Sequence, residues 1–177
     1  MIELPMGRQT FDFDCGAKAL QLVMAYYGID VREDELMKEL RCDADGVPVQ
    51  NMISVAEAKG FQIVGKCGFS LEEVKQFVNQ KHPVIVLVQA WSERYMKLED
   101  WGEDNDDGHY VIVIDHHGGV ILFEDPASFR KTWMTEEEFI IRWHDIDPRT
   151  QQTLEHFALV LLGKEPAPPN KIFEHMD

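Results

Sequence analysis

Cys15, His109 and Asp125 lie far apart in the chain and Gln9 lies shortly before the cysteine, yet together they carry the groups that acyl transfer needs. A cysteine thiolate is a nucleophile, a histidine beside it takes and returns a proton, a carboxylate orients that histidine, and amide N–H groups receive the oxyanion. Cys15 opens an apolar run that closes on Tyr26, Tyr27 and Gly28. The positive end of a helix is one place where a thiolate is stabilised. Gly16 leaves room for a substrate backbone to approach. Gln9 precedes Cys15 in a Gln-x5-Cys spacing, so its side-chain amide can join the Cys15 N–H in an oxyanion hole.

Taken singly, each residue has a plain structural reading. Cys15 reads as a small buried hydrophobe, His109 as a core histidine bonded to backbone, and Asp125 before Pro126 as a turn former. Their combination points instead to a papain-type site. Cys42 and Cys67 have no such neighbours. Three cysteines with no CxxC pair indicate neither a disulfide framework nor a four-ligand zinc site.

Positioning these residues falls to helices in the first half and strands in the second. Ala19, Leu20, Leu22, Val23, Ala25 and Tyr26 recur at helical spacing after Cys15, with Asp14 as N-cap and Gly28 as the stop. A second helix is expected over 31–41, capped by Asp30, with Glu33 and Asp34 loading its first turn. A third is expected from Pro48 to Lys59, and Ser70 with Glu73 forms a capping box for a fourth through Val78. Phe61–Val64 reads as a short strand. After Pro83 the β-branched runs 84–88, 110–114 and 120–123 read as antiparallel strands, with a hairpin turn at His116, His117, Gly118 and Gly119. This register brings Asp125 close to His109. A helix over 135–143 and a strand over 157–162 complete an α+β domain, a helix-rich N-terminal half packed on a C-terminal antiparallel sheet.

Composition narrows the partners. The 17 basic against 32 acidic residues give a formal charge of −15, whose field repels polyanions and argues against nucleic acid. Hydrophobic content of 45% and charged content of 28% fit a globular protein, and 177 residues suit one domain, expected over 1–163 with a mobile tail at 164–177. No apolar run is long enough to span a membrane, and the N-terminus lacks the layout of a secretory signal, so a cytoplasmic location is expected. Oligomeric state cannot be read from the chain.

The anomaly is the acidic stretch 98–107, read as a loop just before His109. Asp104, Asn105, Asp106 and Asp107 offer oxygen ligands, but without the register of an EF-hand. A solvated loop is the simpler reading; a groove wall that selects basic substrates, or a cover over the site, are others. His116 and His117, adjacent in sequence, fit a turn better than a pair of metal ligands.

The motif Gln9-x5-Cys15-Gly16 continuing through Leu20, Met24, Tyr26, Tyr27 and Gly28, with Gly108-His109-Tyr110 and Glu124-Asp125-Pro126, resembles the C39 peptidases, papain-fold domains that process double-glycine leader peptides. The resemblance covers most of residues 2–128. It implies a papain-like cysteine protease fold, with Cys15 as nucleophile, His109 as general base and acid, Asp125 as its orienting residue and Gln9 as oxyanion donor. It implies no metal and no organic cofactor. The best-known members carry a transmembrane region and a nucleotide-binding domain, which this sequence lacks, so peptide export is not part of the expectation. The implied function is a cysteine peptidase cleaving a peptide or isopeptide bond through an acyl-enzyme. The alternative is a C39-like module that binds a peptide or partner without cleaving it.

Overall fold

The computed structural model describes residues 1–168. Its elements are, in chain order, α1 (Cys15–Tyr26), α2 (Glu33–Glu39), α3 (Val49–Ala58), β1 (Gln62–Lys66), α4 (Leu71–Asn79), β2 (Val84–Gln89), α5 (Leu98–Glu103), β3 (Gly108–His117), β4 (Val120–Glu124), β5 (Thr132–Thr135), α6 (Glu136–Arg142) and β6 (Ala158–Leu162). The strands form one sheet in the order β1-β6-β2-β3-β4-β5, with every pairing antiparallel. Helices α1 and α4 pack on β3, while α6 packs on β2, β4 and β5.

Central strand β2 is buried at all six residues, so it reads as a continuous apolar run rather than an alternating one. Removing each such valine or isoleucine side chain from water stabilises the fold by about 1.5–3 kcal/mol. Helix α1 is also buried around most of its circumference, from Cys15 through Leu20 and again from Leu22 to Met24. Its first turn lies against β3 closely enough that a Cβ on Gly16 would stand 2.9 Å from the Tyr110 ring. Gly16 therefore makes room for Tyr110, not for a substrate backbone as its sequence position suggests. Tyr110 locks the contact by donating its hydroxyl to the Val47 carbonyl at 3.1 Å.

The two expected capping signals at the other helices divide. Ser70 Oγ accepts from the Glu73 N–H at 3.2 Å and Glu73 returns a bond to the Ser70 N–H at 2.7 Å, as predicted. Helix α2 instead begins after Arg32, so Asp30 is not its cap. Thr135 and Glu138 form a second capping box, which starts α6 directly at the end of β5.

Two further expectations are corrected. The stretch 98–107 is not all loop: 98–103 forms α5, started by the Lys97 N–H donating to Asp100 Oδ2 at 2.8 Å and held by the Arg142 guanidinium 3.9 Å above the Trp101 ring. Strand β5 has no counterpart among the elements expected from the sequence. His116 and His117 belong to β3, paired with Ile121 and Val120, and the turn is Gly118-Gly119 alone, both at positive φ as a two-residue hairpin requires.

Of the expected C-terminal tail, residues 169–177 lie outside the described residues. Within the rest, the Ala167 N–H donates to the Tyr26 carbonyl at 2.8 Å.

Candidate active site

Cys15 is the first residue of α1, and the loop before it is closed by Asp14. That carboxylate is fully buried and accepts from the Thr10 N–H at 2.9 Å and the Phe11 N–H at 3.1 Å. Asp14 thus stands at the N-cap but spends its side chain on the preceding loop rather than on the helix. Burial raises its pKa, the two N–H bonds oppose this, and nearby Glu33 adds to the rise.

The folded-back loop sets Gln9. Its backbone N–H donates to the Pro126 carbonyl at 3.0 Å, which joins the segment before Cys15 to the segment after β4. Its side-chain Nε2 donates to the Phe11 carbonyl at 2.8 Å, and Oε1 is buried without a partner. One amide hydrogen is therefore committed to the loop, and only the other is free to face a bound carbonyl.

His109 and Asp125 meet across the sheet. Ile112 pairs with Glu124, and continuing that register sets Val111 opposite Asp125. His109 and Asp125 are then diagonal neighbours on one face, because side chains alternate with period two. Their ring nitrogen Nε2 and Oδ1 are 2.7 Å apart, both residues being buried. Nδ1 is left free by that bond, and Cys15 is near enough for a thiolate there to act on the charge of the ring. Burial alone would lower the His109 pKa, but the bonds to Asp125 and Cys15 and their negative charge outweigh it and raise it to about 9. Asp125 moves the other way. Burial pushes its carboxyl up, and His109, the Ala127 N–H and the Trp91 indole bring it below the usual range.

The four residues singled out in the sequence thus fall in one neighbourhood, with Gln9 tied by its side chain to Phe11. Trp91, Thr132, Gln89 and Asp145 also belong to it and were not anticipated. Nothing in the sequence marks Trp91, since solvent-facing tryptophans carry no periodic signal.

A cavity of about 370 Å³ opens beside Cys15. Asp12, Asp45, Asp106, Asp145 and Asp147 line it, and among the described residues none of the five forms an ion pair. Arg149, at the rim, is turned to Asp43 and to the carbonyls of Asp45 and Gly46. Asp145 accepts from Gln89 Nε2 at 3.0 Å, and burial raises its pKa against the Ile146 N–H, Gln89 and His144. Its approach to β3 depends on Gly108, where a Cβ would lie 2.8 Å from the carboxyl carbon.

The other cysteines are differently placed. Burial and nearby negative charge push the Cys42 thiol up to about 11, and burial also raises Cys67. His116 bonds Asn79 on the outside of the sheet. Among the described residues, no group of three or more His, Cys, Asp or Glu is arranged to hold a metal ion, and no helix is long and apolar enough to cross a membrane.

A helix-rich half against an antiparallel sheet, with a cysteine at the head of the central helix, defines a papain-like fold. The sequence model of the peptidase C39 family matches residues 3–146, and the chain belongs to that family. Membership implies a cysteine peptidase, a hydrolase. Three solved structures share the fold. The peptidase domain of Streptococcus ComA, a bi-functional ABC transporter of a quorum-sensing pathway, is 21% identical with a TM-score of 0.64, the match covering 91% of this chain and 98% of that one. A double-glycine-motif protease from an AMS/PCAT transporter, in complex with a leader peptide, is 20% identical at TM-score 0.61, covering 90% and 91%. A C39-like peptidase from Bacillus anthracis is 17% identical at TM-score 0.67, covering 90% and 94%. No curated protein sequence matches the chain.

Proposed function

We propose that the chain is a cysteine peptidase that cleaves a peptide or isopeptide bond through Cys15, His109 and Asp125. The observation that carries this reading is the 2.7 Å bond between His109 Nε2 and Asp125 Oδ1, on a ring whose pKa Cys15 helps to raise. A histidine that keeps its proton to about pH 9 is an imidazolium at neutral pH, the form that pairs with a thiolate.

The thiolate attacks the scissile carbonyl and forms a C–S bond. The oxyanion lies against the Cys15 N–H and the free amide hydrogen of Gln9. His109 gives its proton to the leaving amine as the C–N bond breaks, which leaves a thioester. Water then attacks the thioester and loses a proton to His109, releasing a carboxylate product and restoring the thiolate–imidazolium pair. Asp125 keeps the ring oriented throughout.

Five carboxylates without a counter-ion beside the nucleophile favour a substrate with a cationic side chain near the scissile bond. Three unpaired thiols fit a reducing compartment, in keeping with a cytoplasmic location. Digestion of a peptide library, read by mass spectrometry in wild type and Cys15→Ser, tests the proposal. Products centred on lysine or arginine sites and absent with the variant support it. Cleavage that survives the substitution contradicts it, and peptides retained without cleavage favour the binding module.

A further inference from the structure

Trp91 is unusual for its place. It lies two residues past β2 in the left-handed backbone region, at φ 62°, where a bulky side chain carries strain. It also leaves 59% of its surface in solvent, so core packing does not account for it. Its indole N–H donates to Asp125 Oδ2 at 3.0 Å. The sheet order gives that bond meaning. Trp91 comes off β2 and Asp125 off β4, and between them runs β3, with His109 opposite Val88. The bond spans the strand that bears the histidine.

We propose that Trp91 is a positioning residue for His109, acting through Asp125 by fixing the second carboxylate oxygen so that the first stays on Nε2. This rests on the catalytic reading above. A carboxylate turns easily about its terminal torsion, and bonds to Oδ1 alone leave the position of Oδ2 open. Oδ1 serves His109 at 2.7 Å and the Ala127 N–H at 2.8 Å. On the Oδ2 side the Thr132 hydroxyl is 3.4 Å away, so the indole at 3.0 Å is the stronger donor. Without it a buried carboxylate oxygen is left short of a partner, and the hold of Asp125 on the imidazolium weakens.

The test uses the full chain with Cys42 and Cys67 replaced by serine and iodoacetamide as the probe of Cys15, in the parent, Trp91→Phe and Trp91→Gly. Phenylalanine keeps a ring and removes the donor; glycine also relieves the backbone. The expected result is alkylation about tenfold slower below pH 7 in both variants, with the alkaline end of the profile moved to lower pH. A merely structural tryptophan would leave the shape of that profile unchanged, so superimposable profiles for the parent and Trp91→Phe overturn the inference. A parent already unreactive below pH 7 overturns the catalytic reading and this inference with it. A second measurement needs no variant. The Trp91 indole N–H resonance should shift as the His109–Asp125 pair titrates, and a resonance indifferent to pH between about 5 and 10 overturns the positioning role.

Discussion

Asp125 and Asp145 are both largely buried carboxylates near His109, and they shift in opposite directions. Asp125 has donors on both oxygens and an imidazole on one of them, so its proton is held less tightly than in a free carboxylate. Asp145 has the Ile146 N–H and the Gln89 amide, with His144 opposing only weakly and Asp147 adding to the rise, and burial wins. The difference separates two kinds of site. The His109 corner is complete before any substrate arrives, which is what precise proton transfer needs. The cavity beside Cys15 is lined by five acidic side chains without an ion pair, and on the proposed function a cationic group of the substrate would complete it.

Removing the reacting atoms breaks the first side of the contrast most severely. Cys15→Ser is expected to lower peptide cleavage by on the order of 10⁴-fold or more, and Asp125→Asn by up to about 10⁴-fold, each read as kcat/KM. Asp145→Asn sharpens the second side: roughly tenfold lower kcat/KM for substrates with lysine or arginine, and no change for neutral ones. An equal loss for both substrate classes would show that Asp145 does not read charge.

Smaller effects follow from the scaffold. Gly16→Ala drives a Cβ toward Tyr110 and should cost about 1–3 kcal/mol of stability, measured by urea unfolding, with a further loss of cleavage because Cys15 moves with it. The pH dependence of stability carries the signature of the pair. The folded-state pKa of His109 lies above its ordinary value, so its contribution is fully present below about 6.5 and is lost as pH rises through about 9. Asp125 contributes above the ordinary carboxylate range and loses its contribution as pH falls through its lowered folded value. The stability gap between wild type and His109→Gln should therefore narrow between pH 7 and 10, measured by thermal melts.

Local chemistry in the sequence was enough for α1, for the Ser70 capping box and for the pairing that joins His109 to Asp125, because apolar period and turn residues act over a few positions. It was not enough where distant groups decide. Helix α5 is an acidic stretch that holds together through Arg142 on Trp101, a contact 41 residues away in the chain. Gln9 was read as pointing to the reaction centre, but its amide orientation depends on a loop bent by Asp14. Trp91 and Asp145 were invisible for the same reason, since only the strand order places one across His109 and the other beside Cys15.

The central claim is the Cys15–His109 pair. Its most direct test is the pH dependence of Cys15 alkylation by iodoacetamide, with Cys42 and Cys67 replaced by serine, in the presence of His109 and in His109→Ala. The account predicts a rate that stays high well below pH 7 in the first protein and drops in the second. Identical profiles, both following an ordinary thiol, would contradict it.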